Sequence, residues 1–253
     1  MEAPDSLILP SVEVSDLKQY PMRSYITEQT GNGLYAEHFS RLGLDMSKKK
    51  SLNQPALPPL KSTGPAFGER HSLRGQLLLA SPHIGDPRFE QAVILMCQHD
   101  AEAAMGLVLN QPAQHLSVGE LYSQLKMGTP RFNQNNPVFI GGPVDGNRGF
   151  VLHSQDHMRT ESVAVTHEIG LTSSIDILRD INDGVGPLQS IVSLGCSGWG
   201  PGQLDQELAE NAWFPVEANL DLVFSCPPDA LWQHGFDKLG INPAYFADSN
   251  GSA

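Results

Sequence analysis

Cys196 is the side chain whose setting most invites covalent chemistry. It sits in Gly195-Cys196-Ser197-Gly198-Trp199-Gly200-Pro201-Gly202, between the apolar run Ser190–Leu194 and the amphipathic run Gln203–Ala212. The first run reads as a strand and the second as a helix. A thiol at a helix N-terminus has its thiolate stabilised by the free N–H groups there. A histidine brought near in space, His99 or His153, would complete a Cys/His pair. The run departs from the Gly-x-Ser-x-Gly elbow, because Trp199 stands where the last glycine belongs. That departure weighs against Cys196, and more so against Ser197, as a nucleophile. The glycines also have a geometric use. They allow a tight packing corner, or a loop at the carboxyl end of a strand where a ligand can approach the backbone.

Other chemistries are less well supplied. Of the nine histidines, His153 and His157 lie four apart, but across a strand end and a loop, so they need not share a face. His83 also falls in a loop, and no His-Glu-x-x-His is present; no metal site or cofactor is expected. Asp86 and Glu90 could be paired carboxylates, yet they read equally as turn and solvent groups. Gly141-Gly142-Pro143 followed by Arg148 could form a backbone nest beside a cation, or simply a hairpin turn, which is the preferred reading.

The elements that must position these residues follow from patterning. Strands are expected at 75–80, 91–98, 104–110, 137–141, 150–153, 162–166 and 190–195, with a further one at 221–225. Residues 91–98 are apolar on both faces, as a buried central strand would be. The short polar link His99–Glu102 makes 91–98 and 104–110 a hairpin. Ser117 with Glu120 forms a capping box for a helix to about Leu125. Ser173 or Ser174 caps a second helix that ends near Gly184. Helices are expected over 203–212, where Leu204 and Leu208 share a face and Glu207 lies off it, and over 228–239. Strands come first and helices later, without strict alternation, so the class is α+β.

The chain has 253 residues and a net charge of −12, with 17% charged and 40% hydrophobic residues. Eight basic and eight acidic residues balance within 1–70. The body therefore carries all of the negative charge, which disfavours direct binding to nucleic acid. Residues 1–72 read as a flexible extension, with a short helix at 33–44, an extended Gln54–Leu60 linker and a second candidate start at Met46. Residues 73–253 read as one domain. Three widely spaced cysteines, Cys97, Cys196 and Cys226, do not suggest a disulfide framework. With no long apolar span and no secretory pattern, the expected location is the cytoplasm.

Several blocks, in order, carry a resemblance. Gly85-Asp86-Pro87-Arg88-Phe89, Ala104–Pro112, Gly141–Val144, Arg148–His153 and Gly198–Leu204 with Asn211-Ala212-Trp213 resemble the AlgH/YqgE family of bacterial proteins over about 73–245. The resemblance implies an α+β domain with a mixed, branched sheet folded toward a pseudo-barrel. It implies no settled activity, although one branch is linked to transcriptional control without a DNA-binding motif. The family often has a tyrosine where this chain has Cys196 and a basic residue where it has Gln111. Those departures weaken a shared thiol reaction and an anion site at Gln111.

Together these readings favour a non-enzymatic regulatory protein that binds a small ligand or a protein partner. Its expected crevice is lined by Asp86, His99, Asn110, Arg148, His153 and Trp199. The alternative is a hydrolase or redox enzyme using Cys196. The crevice depends on the glycine-bearing bends converging around one hollow.

Overall fold

Continuous apolar runs signal strands covered on both faces, and β1 (Gln76–Ala80) and β2 (Val93–His99) are of this kind. In the computed structural model, which describes residues 72–244, Leu77, Leu79, Val93 and Leu95 enter one core, while Leu78, Ala80, Ile94 and Met96 enter another. The remaining strands are β3 (Ala104–Val108), β4 (Pro112–Ser117), β5 (Pro137–Ile140), β6 (Val144–Ser154), β7 (Val163–Ala164), β8 (Ile169–Thr172), β9 (Ser190–Trp199) and β10 (Trp213–Glu217).

They run in the order β10-β1-β2-β3-β9-β6-β8-β7, with antiparallel neighbours throughout. β5 lies off this path. It pairs parallel with β9 and carries β4 on its other side. The sheet is therefore mixed and branched, as the resemblance implies. Phe150 and Leu152 of β6 and Ile169 and Leu171 of β8 share one core with Leu77, Leu95 and Leu107. The sheet thus curls over its own inner face as a half-barrel.

Helices cover what the curl leaves exposed. α1 (Val118–Gln124) and α2 (Asp176–Asp183) bury Leu121, Tyr122, Ile177 and Leu178 against Val138, Val151 and Val192. α3 (Gln203–Ala209) lays Leu204 on the outer cluster, and α4 (Pro228–Leu239) seats Leu231 and Phe236 on the inner one. Local signals set these bounds. The Ser117–Glu120 capping box is made in both directions. Gly184 and Gly240 end α2 and α4 in the left-handed conformation. The Tyr122 hydroxyl ties the two outer helices by donating to Leu178 O at 2.5 Å.

Several expectations are corrected. Gly195–Trp199 is strand, so β9 continues for ten residues and the link to α3 is only Gly200–Gly202. Cys196 therefore lies in mid-strand rather than at a helix N-terminus. Residues 221–225 form a wide helical turn instead of a strand. α2 has no side-chain cap at its first residue; Ser174 Oγ accepts from Asp176 N at 3.3 Å. β6 begins at Val144, well before Phe150. The expected strand at 162–166 shrinks to the two residues of β7, and α3 stops at Ala209. β4, β8 and β10 were not expected. The expectations for 1–71, including the helix at 33–44, lie outside the described residues.

The branch is made by backbone lying on backbone. Gly141 N donates to Leu194 O of β9 at 2.8 Å, and Gly141 O accepts from Val108 N of β3 at 2.9 Å. One glycine thus bridges the edge of β9 where β5 gives way to β3. A Cβ on Gly142 (φ +146°) would overlap the Cys196 carbonyl and Ser197 N, and one on Gly195 (φ +68°) would lie 2.6 Å from Gly142 O. Neither position has room for a side chain or a backbone conformation that favours one. We expect Gly142→Ala to destabilise the fold by about 3 kcal/mol or more, from combined strain and overpacking. Gly85→Ala, with nothing within 4 Å, is expected to stay within about 0.5 kcal/mol. Urea midpoints of the two variants against the parent chain check the contrast.

Candidate functional site

The residues read as chemically capable fall into separate places on the sheet. Asp86 and Asn110 are at one end of β2. Asp86 caps the turn Pro87–Phe89, accepting from Arg88 N at 3.0 Å and pairing with the Arg88 guanidinium at 2.5 Å. Burial pushes its carboxyl up, but the hydrogen bonds and charge of Arg88 outweigh this and hold it below its ordinary value. Asn110 accepts from Val93 N at 2.9 Å and donates to Gln91 O at 2.8 Å. That clamp fixes the start of β2, where Gln91 has φ of +51°. Gln111 donates to Arg88 O at 2.8 Å, so Asp86 and Asn110 do share a neighbourhood.

His99 ends β2, about 20 Å away by the rise of the strand. It is beside Ala104, which in turn pairs with Trp199. His99 Nδ1 accepts from Leu73 N at 3.0 Å, and Nε2 lies 4.0 Å from Asp205. Trp199 is buried, and its indole N–H donates to Glu207 Oε2 at 2.8 Å. Trp213 donates to the same oxygen at 2.7 Å. One carboxylate therefore holds two T-shaped indoles whose centroids are 6.0 Å apart. Glu207 reads from sequence as an outward-facing residue. The spacing Trp199…Glu207…Trp213 was the available signal, visible only once α3 is known to fold back on β9 and β10.

Arg148 and His153 belong to β6. Three residues of β6 are extra between its pairings Val144↔Cys196 and Gly149↔Leu194, so Asp145–Arg148 bulges over Gly195. The Arg148 guanidinium lies 5.2 Å from the Phe150 ring, and its buried Nε has no hydrogen-bond partner. Cys196 is beneath this bulge and fully buried, its thiol 3.7 Å from Val144 O. Burial, with the Asp145 charge added, pushes that thiol far up, against the opposing pull of Arg148. Burial likewise pushes Cys97 up to about 12. Neither environment favours a thiolate.

His153 is completely buried. Its Nδ1–H donates to Ser154 O at 2.9 Å, which leaves Nε2 to accept from Thr172 Oγ at 2.8 Å. Thr172 accepts from Ser162 at 2.5 Å, and Ser162 accepts from Arg159 N at 2.9 Å. Every donor and acceptor in this chain is used, with the imidazole neutral. Next to it, His157 and Arg159 both reach Asp180 of α2, at 2.7 and 2.6 Å.

The structure thus brings Asp86 near Asn110 and His99 near Trp199, with the two pairs at opposite ends of β2 and Arg148 and His153 apart on β6. The glycine bends at 141–142 and 195 do converge, and they fill one another. Open space is found elsewhere. A cleft of about 500 Å³ separates the two ends of the curled sheet, lined by Arg74, Gln76, Thr166, His167, Glu168 and Glu217. A second, of about 280 Å³, lies among Ser81, Pro82, Ile84, Glu90 and Trp232. Among the described residues, no group of three or more His, Cys, Asp or Glu could hold a metal ion, and no helix is long and apolar enough to cross a membrane.

Comparison with known proteins places this geometry among relatives. A model of the AlgH-like family matches residues 77–244. A UPF0301 protein of Jannaschia sp. (strain CCS1) is 40% identical over 185 residues, covering 72% of this chain and 96% of that protein. A second, from Rhizorhabdus wittichii, is 42% identical over 182 residues, covering 72% and 97%. The solution structure of the AlgH protein from Pseudomonas aeruginosa matches with a TM-score of 0.60 at 35% identity, covering 76% of this chain and 100% of that one. The crystal structure of protein DIP2367 from Corynebacterium diphtheriae shares the fold at a TM-score of 0.51 and 19% identity, covering 69% and 87%.

The saturated network around His153 has a pH signature. Burial lowers the His153 pKa; its bond to Ser154 O and the Asp156 charge act the other way, and His157 adds to the lowering. The unfolded chain, with a histidine pKa of about 6.5, takes up the proton first as pH falls. The contribution of His153 is therefore fully present above about pH 6.5 and is lost as pH falls from there toward the lower native value. We expect the stability difference between the parent chain and His153→Gln to shrink between about pH 7.5 and about pH 5. Urea unfolding of both across that range checks it, and a pH-independent difference would count against a neutral, proton-refusing imidazole.

Proposed function

This chain belongs to the AlgH-like family, and from that premise we propose that it is a non-catalytic regulatory protein of the cytoplasm that works by binding a protein or small-molecule partner. The observation that carries the reading is the standing cleft of about 500 Å³ between the two ends of the sheet. Around it, exposed side chains form part of the wall, with His167 Nε2 lying 3.8 Å from Glu168 Oε2 and Arg74 bonded to Ala164 O. The His167 side chain is 89% exposed and that of Glu168 43%. Elsewhere the polar groups that suggested chemistry are occupied: Asn110, His153 and Trp199 each serve an internal contact.

The lining carries both signs, Arg74 with Glu168 and Glu217. Such a surface suits a zwitterionic or peptidic partner better than a polyanion. The negative body points the same way, because a duplex would be repelled rather than drawn in. Control of transcription, on this reading, is exerted through a partner and not through direct contact with DNA. The competing reading, an enzyme built on Cys196, has the burial of that thiol against it.

The test is a charge reversal at the cleft. His167→Glu with Glu168→Lys alters exposed side chains, so thermal stability should stay within about 0.5 kcal/mol of the parent. In a strain lacking the gene, this double variant is expected to fail to restore the parental phenotype, while a charge introduced on a distant exposed face, Gln206→Lys, restores it. Full complementation by the cleft variant would reject the cleft as the working surface.

A further inference from the structure

One reactive pair stands outside everything above. Cys226 is the only cysteine of the three that is not buried. Its Sγ lies 3.0 Å from Nδ1 of His234, which is exposed on α4. A nucleophile and a base within hydrogen-bond reach are the geometric mark of an activated thiol.

The backbone that carries the pair is anchored on both sides, and the Cys226 thiol also reaches Pro227 O at 3.7 Å. Cys226 closes the wide turn 221–225, its N–H donating to Asp221 O at 2.9 Å. Pro227 and Pro228 follow at once and fix the chain into α4. The helix is in turn pressed onto β1. A Cβ on Gly235 would lie 2.5 Å from Leu79 Cδ2, and Trp232 donates its indole N–H to Ala80 O at 2.9 Å. These contacts fix the backbone of α4 on which His234 stands, next to Gly235. Burial and the Asp229 carboxylate push the Cys226 thiol up. At rest Cys226 is thus held as the thiol rather than as a thiolate.

We propose that Cys226 and His234 form a thiol-modification site that takes low-molecular-weight disulfides and ends as a mixed disulfide on Cys226. Sγ attacks one sulfur of R–S–S–R while its proton passes to His234 Nδ1. The S–S bond of the disulfide breaks, a new Cys226–S–S–R bond forms, and the leaving thiolate takes the proton from the imidazolium as R–SH. Cys226 is oxidised and the released half of the disulfide is reduced, so the exchange needs no other reactant. Asp229, across the first turn of α4, disfavours an anionic R group at this position. A disulfide bearing ammonium groups should therefore react faster than one bearing carboxylates.

The full chain, fully reduced, is treated with cystamine or with oxidised glutathione under native conditions, and adducts are located by peptide mass spectrometry. The expected adduct is on Cys226 and on neither Cys97 nor Cys196, with cystamine the faster reagent. His234→Gln replaces an exposed side chain, leaves the fold intact, and is expected to slow the reaction at neutral pH by about tenfold or more. Its rate should then climb with pH through ionisation of the thiol itself, and added imidazole should restore part of the loss. A His234→Gln rate equal to that of the parent, or labelling that falls on Cys97 or Cys196 instead, overturns the proposal.

Discussion

Everything in this fold is built around β9 serving three partners at once. Along residues 190–196 it pairs with β6. Its other edge belongs to β5 at Ser193–Leu194 and to β3 at Ser197–Trp199. Handing an edge from one strand to another leaves backbone groups that must find partners in a place without water. Gly141 supplies both, and Ser197 Oγ adds a bond to its carbonyl at 3.3 Å. This works only if three chain segments lie closer than any Cβ permits, which is why Gly141, Gly142 and Gly195 meet there. The curl follows. With β5 peeling away outward, the main path bends inward over Phe150, Leu152 and Leu107, and the half-barrel closes over its own core.

The same economy explains the polar residues that looked like chemistry. A curled sheet with short connections buries many ends of strands, and a buried end without a partner costs about 1–3 kcal/mol. Asn110 supplies the start of β2, His99 holds Leu73, and Glu207 satisfies two indoles that would otherwise be buried with idle N–H groups. His153 is the extreme case, fully enclosed and with both ring nitrogens used. Residue types favoured for catalysis are also the types that can satisfy two groups at once, and only their partners tell the two uses apart.

Legibility in the sequence followed the range of the interaction. Signals that act within one turn were readable: the Ser117–Glu120 box, the left-handed Gly184, and α4 from Pro228 to Leu239. The central strands were readable because burial on both faces removes polar residues altogether. What escaped depended on distant neighbours. β10 contains Pro215, which reads as a break, but β10 ends the sheet order and an end strand needs no outward N–H. β4 is largely exposed and gains its register only from β5. Leu222-Val223-Phe224 has a strand's composition, and only its packing between β10 and α4 makes it a helical turn. The glycines of 195–198 read as a bend because glycine density marks both bends and close approach. The candidate site was legible as a list of residues and not as a place, since no local pattern reveals which end of a strand a side chain shares.

The open seam is a consequence of how the sheet's two ends are made. Closing a barrel requires a continuous ladder between the first and last strands. Here the last strand in the order, β7, has two residues, and the first, β10, carries a proline. Arg74 nonetheless reaches across to Ala164 O, so the ends are fastened at one point and parted beside it. Lys238 covers Glu217 O at 2.7 Å from the other direction. Such ends resist pairing with a stray strand, yet they leave a polar concavity between them. In a molecule whose buried polar side chains largely serve one another and the nearby backbone, an open surface beside the seam is the place where selection can act on binding without disturbing the fold.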